Sequence, residues 1–213
     1  MNPDYCEAWD WNSAYGCYGS GLDFLGMPDP GCPVGGSDDG GDDGGDSDAE
    51  PDCTSGYAGF MINFVTAHYA DAVALSGKSG VAQDWLLAWS ADESSYGTSS
   101  IAKKSGNCFG WHGKGDITCP SGTNKITGCF SSYYASGSTA LFSTKNWFHY
   151  NGQYHVSAAS ILTQYTNAAK AFQALSNAGY NSNPNYGSQV AGDYFLGNVD
   201  GIENCLRSLG KLK

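Results

Sequence analysis

A mainly helical α+β domain with one small β-hairpin lobe is the fold class this sequence predicts, and three observations predict it. Apolar side chains recur at helical spacing from residue 54 onward. Across 111–135 that spacing disappears and glycine and proline punctuate the chain. After residue 138 the helical spacing returns and holds almost to the end.

Each element follows from local signals. Ser55 is the expected N-cap of a first helix, in which Phe60, Phe64, Ala67, Ala70 or Asp71, and Ala74 recur before Gly77. A second helix over roughly 80–92 carries Val81, Trp85, Leu86 and Trp89 and ends at Glu93. In the next stretch, Gly113, Gly115, Pro120, Gly122 and Gly128 separate two short segments, Asp116-Ile117-Thr118 and Lys125-Ile126-Thr127. Such spacing predicts the β-hairpin lobe. Further helices are expected at 138–150, 156–177 and 186–209, the middle one marked by Val156, Ala159, Leu162, Tyr165, Ala169, Phe172 and Leu175. Lobe and helices together would flank a groove.

Composition divides the chain into three zones. Residues 1–36 are rich in Cys, Tyr and Trp without helical or strand periodicity; 37–52 are a low-complexity Gly/Asp linker; 53–213 form the candidate catalytic domain. Glycine freedom and like-charge repulsion are expected to keep the linker extended. The aromatic leader, with Tyr5, Trp9, Trp11, Tyr15 and Tyr18, is expected either to bind glycan or a partner as a stapled module or to pack on the domain. The net charge of −11 misrepresents the body, because residues 1–52 hold 13 acidic side chains and no Lys or Arg. Residues 53–213 hold 8 acidic and 10 basic side chains and so carry a net +2, which suits contact with an anionic polymer. With a single arginine, Arg207, and no basic tract, nucleic acid is excluded as the expected partner.

The eight cysteines form no C-x-x-C pair and stand at no zinc-finger spacing from histidine, so disulfides in an oxidising compartment are the reading. Cys108, Cys119 and Cys129 fall in one local segment, Cys6, Cys17 and Cys32 form a leader cluster, and Cys53 is placed to tie the start of the domain to Cys205. The opening residues lack the basic and apolar regions of a signal peptide, and no apolar run is long enough to cross a membrane. The expected destination is extracytoplasmic, as secreted protein, in periplasm or cell wall, or on a phage particle. No metal or organic cofactor is expected, since EF-hand spacing, P-loop, dinucleotide fingerprint and serine elbow are all absent.

Three blocks carry the chemistry. Residues 82–99 read AQDWLLAWSADESSYGTS, residues 107–113 read NCFGWHG, and residues 178–187 read AGYNSNPNYG. In this order they resemble the glucosaminidase family of peptidoglycan hydrolases (glycoside hydrolase family 73, lysozyme-like superfamily), and the resemblance spans about 55–210. It implies a lysozyme-like fold and endo-β-N-acetylglucosaminidase activity on peptidoglycan glycan strands by a monomer. Glu93 would be the general acid, at the end of an apolar helix where desolvation raises a carboxyl pKa. Adjacent Asp92 points about 100° away. Tyr186 would line the cleft near the acid.

Glycoside hydrolysis ordinarily uses a second carboxylate. Relatives place it in the lobe, upstream of F-R-x-Y. Here that stretch is Phe130-Ser131-Ser132-Tyr133, without the arginine, and Asp116 is the only acid of the lobe. Asp116 is therefore either the base or a turn aspartate. In the second case a water held by tyrosine and backbone groups, or attack by the substrate's own acetamido group, would complete the reaction. Trp111, His112, Phe109, Tyr133 and Tyr180 are the candidate substrate-binding residues, Trp111 by stacking on a sugar face and His112 by hydrogen bonding. Asn183 stands where the family has aspartate. Two alternatives remain open: a muramidase or lytic transglycosylase on the same fold, and a weakly active glycan-binding or virion-associated structural protein.

Overall fold

The computed structural model describes residues 53–144 and 148–212; the leader, its cysteines and the acidic linker lie outside them. Two long helices open the domain. Helix α1 (Gly59–Ser79) buries Phe64, Val65, Ala72 and Leu75, and α2 (Gln83–Ser94) packs against it through Leu86, Leu87 and Trp89. The α1 helix starts at Gly59 without a side-chain cap, so Ser55 is not its N-cap. It runs past Gly77 to stop at Gly80, whose left-handed φ of 75° returns its N–H to the Ser76 carbonyl.

A short α3 (Ser100–Ser105) follows, N-capped by Ser99. The chain then crosses the lobe and enters α4 (Tyr133–Phe142), capped by Ser132. Helices α5 (Ala158–Leu162), α6 (Ala168–Asn177) and α7 (Tyr186–Val190), a π-helical turn over Asp193–Gly197, and α8 (Asn198–Ser208) complete the domain. Helices α6 and α7 approach so closely that a methyl on Gly187 would overlap the Ala169 carbonyl. The fold is thus mostly helical with one two-stranded antiparallel sheet among the described residues.

Several boundaries differ from the sequence expectation. The two strands lie not in 111–135 but at β1 (His149–Tyr150) and β2 (Gln153–Tyr154), at and just beyond the end of the expected helix 138–150. Asn151 (φ 48°) and Gly152 (φ 78°) make the tight left-handed turn between them. The 111–135 segment is irregular up to the start of α4, joined by a single bridge between His112 and Thr127 and stapled by the Cys119–Cys129 disulfide. Its glycines leave too few side chains to hold a ladder, and the covalent link takes over that role. The expected 156–177 helix divides because Asn167 caps a new start, its side chain accepting from the Lys170 N–H. The 186–209 helix divides at Gly192 and the π-helical turn.

Cys53 is bonded to Cys205, with Cα atoms 5.6 Å apart and a sequence separation of 152, so one covalent loop encloses the domain. Cys108 is also disulfide-bonded. No helix among the described residues is long and apolar enough to cross a membrane.

Candidate active site

Helix α2 ends abruptly just past Glu93. Ser95, Tyr96 and Gly97 all take left-handed φ values of 52°, 53° and 74°, an uncommon run for residues with side chains. The turn is tied back by the Tyr96 N–H to the Ala91 carbonyl (2.9 Å) and by the Gly97 N–H to Ser94 Oγ (2.8 Å). Tyr96 itself is fully buried, stacked on Phe195, and donates to the Tyr194 carbonyl. Glu93 is thereby fixed on the last turn of a rigid helix.

Its carboxyl is gripped by aromatic hydroxyls. Tyr186 Oη, from the first residue of α7, donates to Glu93 Oε1 at 2.7 Å. Tyr180 also hydrogen-bonds the carboxyl, while its hydroxyl receives the Trp89 Nε1–H at 3.0 Å and reaches the Phe109 carbonyl at 2.9 Å. Gly110, at φ 58°, lets the backbone pass so close that a methyl there would overlap Glu93 Oε2. Burial first, and the charge of Asp92 second, push the Glu93 pKa up to about 8 against the Tyr186 and Tyr180 hydrogen bonds. The carboxyl therefore holds its proton at neutral pH, the state a general acid needs.

Asp92 leaves the cleft by a different face. Its Oδ1 accepts from Gln189 Nε2 at 2.6 Å, and Gln189 Oε1 accepts from Asn183 Nδ2 at 2.7 Å. Burial raises the Asp92 pKa to about 6, opposed by the Gln189 hydrogen bond.

Glu93 opens on a cavity of about 210 Å3, which it lines together with Ser99, Ile101, Asn107, Gly110, His112 and Thr127. Asn107 shapes the wall: its Oδ1 accepts from the Trp111 N–H (2.9 Å) and its Nδ2 donates to the Trp111 carbonyl (2.8 Å), closing the 107–111 loop in both directions. His112 follows directly and is half-buried, which lowers its pKa from the usual 6.5.

The remaining sequence candidates separate. Glu93 and His112 line the cavity, and Tyr186 and Tyr180 hydrogen-bond Glu93. Phe109 and Tyr133 do not: both are buried ring members of the core, 0% and 2% exposed, in contact with each other and out of reach of a sugar. Trp111 is buried too, with its indole N–H unpartnered among the described residues. Asp116 is exposed, absent from the cavity lining, and has both oxygens engaged by Ser131, through its N–H (3.0 Å) and its hydroxyl (2.5 Å). Sequence reasoning missed Gln189, whose signal was its place three residues after Tyr186 on the same helical face. Among the described residues no group of three or more metal-ligating side chains occurs.

A family model described as glucosaminidase, mannosyl-glycoprotein endo-beta-N-acetylglucosaminidase, matches residues 69–193. None of the curated proteins matches the chain. Two solved structures are similar. One is a chain of a type VI secretion system effector–immunity complex from Pseudomonas protegens, 18% identical with a TM-score of 0.50, covering 70% of this chain and 94% of that one. The other is a C-terminally truncated glycoside hydrolase domain from Salmonella typhimurium FlgJ, 20% identical with a TM-score of 0.39, covering 70% and 98%.

Proposed function

Because this chain belongs to the glucosaminidase family of glycoside hydrolases, we propose that it cuts peptidoglycan glycan strands at the β-1,4 bond that follows N-acetylglucosamine, with Glu93 as the general acid. The observation that carries this reading is the Glu93 carboxyl held at the cavity by Tyr186 and Tyr180, in surroundings that raise its pKa. In the reaction the Glu93 proton passes to the glycosidic oxygen as positive charge develops at the anomeric carbon. The two tyrosines hold the carboxyl in place, and the hydrogen bond donated by Tyr186 stabilises the carboxylate it becomes.

The near-neutral, slightly basic body suits an anionic wall polymer better than a nucleic acid. Disulfides at Cys53–Cys205 and Cys119–Cys129 support work in an oxidising, extracytoplasmic setting. The acid step uses side chains alone and calls on no cofactor.

One observation favours a second reading. Among the described residues Glu93 is the only carboxyl lining the cavity, and a lytic transglycosylase needs only one, because the muramic 6-hydroxyl attacks in place of water. Digestion of purified peptidoglycan, borohydride reduction and mass spectrometry separate the readings. Reduced N-acetylglucosamine ends support the glucosaminidase, reduced muramic ends a muramidase, and anhydro-muramic ends the transglycosylase. Absence of any product, with high-mannose glycoprotein also left intact, would point to a binding protein. E93Q should lose at least about 100-fold in activity, on the scale of general acid catalysis; a fully active E93Q protein would sink the acid assignment.

A further inference from the structure

Hydrolysis with water needs a group that takes the water's proton, and among the described residues the Glu93 cavity offers no second carboxylate. Asp116 is held outside that lining by Ser131. One other lining residue can take a proton: the imidazole of His112. We propose that His112 is the general base of this glycosidase, activating the water that attacks the anomeric carbon from the face opposite Glu93. The proposal rests on Glu93 being the acid.

Placement supports the role. His112 is paired with Thr127 in an antiparallel bridge, and both neighbouring backbone links are made, the Gly113 N–H to the Ile126 carbonyl (2.9 Å) and the Gly128 N–H to the Trp111 carbonyl (3.1 Å). The Asn107 clamp on one side and the Cys119–Cys129 staple on the other fix this piece of backbone. The imidazole is thus presented from a rigid wall, as a catalytic base requires.

Protonation states match. Burial holds His112 neutral at neutral pH, while Glu93 is held protonated up to about 8, so acid and base each occupy the form their step consumes. Among the described residues Glu93 and His112 are the titratable side chains of the cavity lining, and the groups that act on Glu93 are Tyr186 and Tyr180, which hydrogen-bond it, and the charge of adjacent Asp92. The step balances. Glu93 gives its proton to the glycosidic oxygen as the C1–O bond breaks, and the leaving sugar departs as a neutral alcohol. A water oxygen bonds to C1 while one of its protons passes to the unprotonated ring nitrogen of His112. The resulting carboxylate and imidazolium return to their starting forms by exchange with solvent.

Attack from the opposite face inverts the anomeric centre, so proton NMR of early digestion of a soluble N-acetylglucosamine–muramic oligomer should show the α-anomer first. With the full chain, H112Q and H112N should lose about 10²–10⁴-fold in kcat, with KM changed little and the acidic limb of the pH profile gone. Azide should restore turnover in either variant by forming the α-glycosyl azide. A β-anomer product from the unaltered protein would overturn the proposal, and this readout does not depend on either variant folding. So would an H112Q protein with unchanged kcat and a raised KM, which marks a sugar contact only. An active E93Q variant instead removes the acid reading itself, so the two failures are distinguishable.

Discussion

Tyr186 and Gln189 stand three residues apart on α7 and hold adjacent carboxyls of α2: the tyrosine hydroxyl donates to Glu93 and the glutamine amide to Asp92. Neighbours in a helix point in different directions, and one short facing helix satisfies both. The glutamine's orientation is set in turn by Asn183, whose amide donates to its carbonyl. An aspartate at 183 could not make that bond and would draw the glutamine's NH2 group away from Asp92.

Asp92→Asn should therefore move the alkaline limb of kcat to lower pH. As the proposed acid, Glu93 would work in its protonated form; its pKa is raised to about 8, and the Asp92 charge is one cause of the rise. Removing that charge lowers the pKa, so activity falls off earlier as pH rises. At a fixed alkaline pH the loss is about tenfold for every pH unit the limb moves. A pH profile that does not move would show that Asp92 is merely structural.

Gly110→Ala should sharply slow catalysis while leaving a folded protein. The left-handed φ of 58° disfavours alanine by about 1–2 kcal/mol, and the new methyl must displace the Glu93 carboxyl. A displacement of this kind costs on the order of 100-fold in rate. Circular dichroism and wall-clearing assays together check both halves.

Glu93→Gln should stabilise the protein at neutral pH. The raised pKa means the folded state keeps a proton the unfolded chain gives up, so stability from this group is full below pH 4.5 and is lost as pH rises toward about 8. The variant escapes that loss. Its advantage should be on the order of 3 kcal/mol at about pH 7 and vanish at pH values below the ordinary glutamate pKa, as read by thermal melts across pH. Equal stability of the two proteins at every pH would refute a buried, protonated carboxyl.

His68→Phe should remove an acid-sensitive step. His68 is 1% exposed, stacked on Tyr133 with ring centroids 4.3 Å apart, and its Nε2 has no hydrogen-bond partner among the described residues. Burial lowers its pKa from 6.5 to about 4, so as pH falls through that range only the unfolded chain gains the proton. Stability is lost across that window, up to about 3 kcal/mol. Phenylalanine keeps the stack without the titration, and its melting temperature should hold over that range.

Much of this arrangement is legible in the sequence. The apolar spacing of Phe64, Leu86 and Trp89 marks the two long helices, and the order of the three blocks groups Glu93 with Tyr180 and Tyr186. The lobe departs from expectation because Thr and Ile runs form strands only when enough side chains remain to pack them, and here glycine and a disulfide replace packing. The true hairpin is announced by Asn151-Gly152, a strong turn signal that borders a segment carrying helical spacing. Phe109 and Tyr133 belong to the core because aromatic residues next to a cleft are as readily its foundation as its lining. What no pattern of one chain reveals is a pairing across distance such as Ser131 on Asp116.

The run of left-handed residues from Ser95 to Gly97 has one last effect. By stopping α2 there it leaves Glu93 on the final turn, where the helix's unsatisfied carbonyls gather about half a unit of negative charge. A carboxylate is repelled at that pole and a carboxylic acid is not. The backbone dipole of α2 therefore favours the proton on Glu93, by about 0.3–1 kcal/mol, independently of any neighbouring side chain.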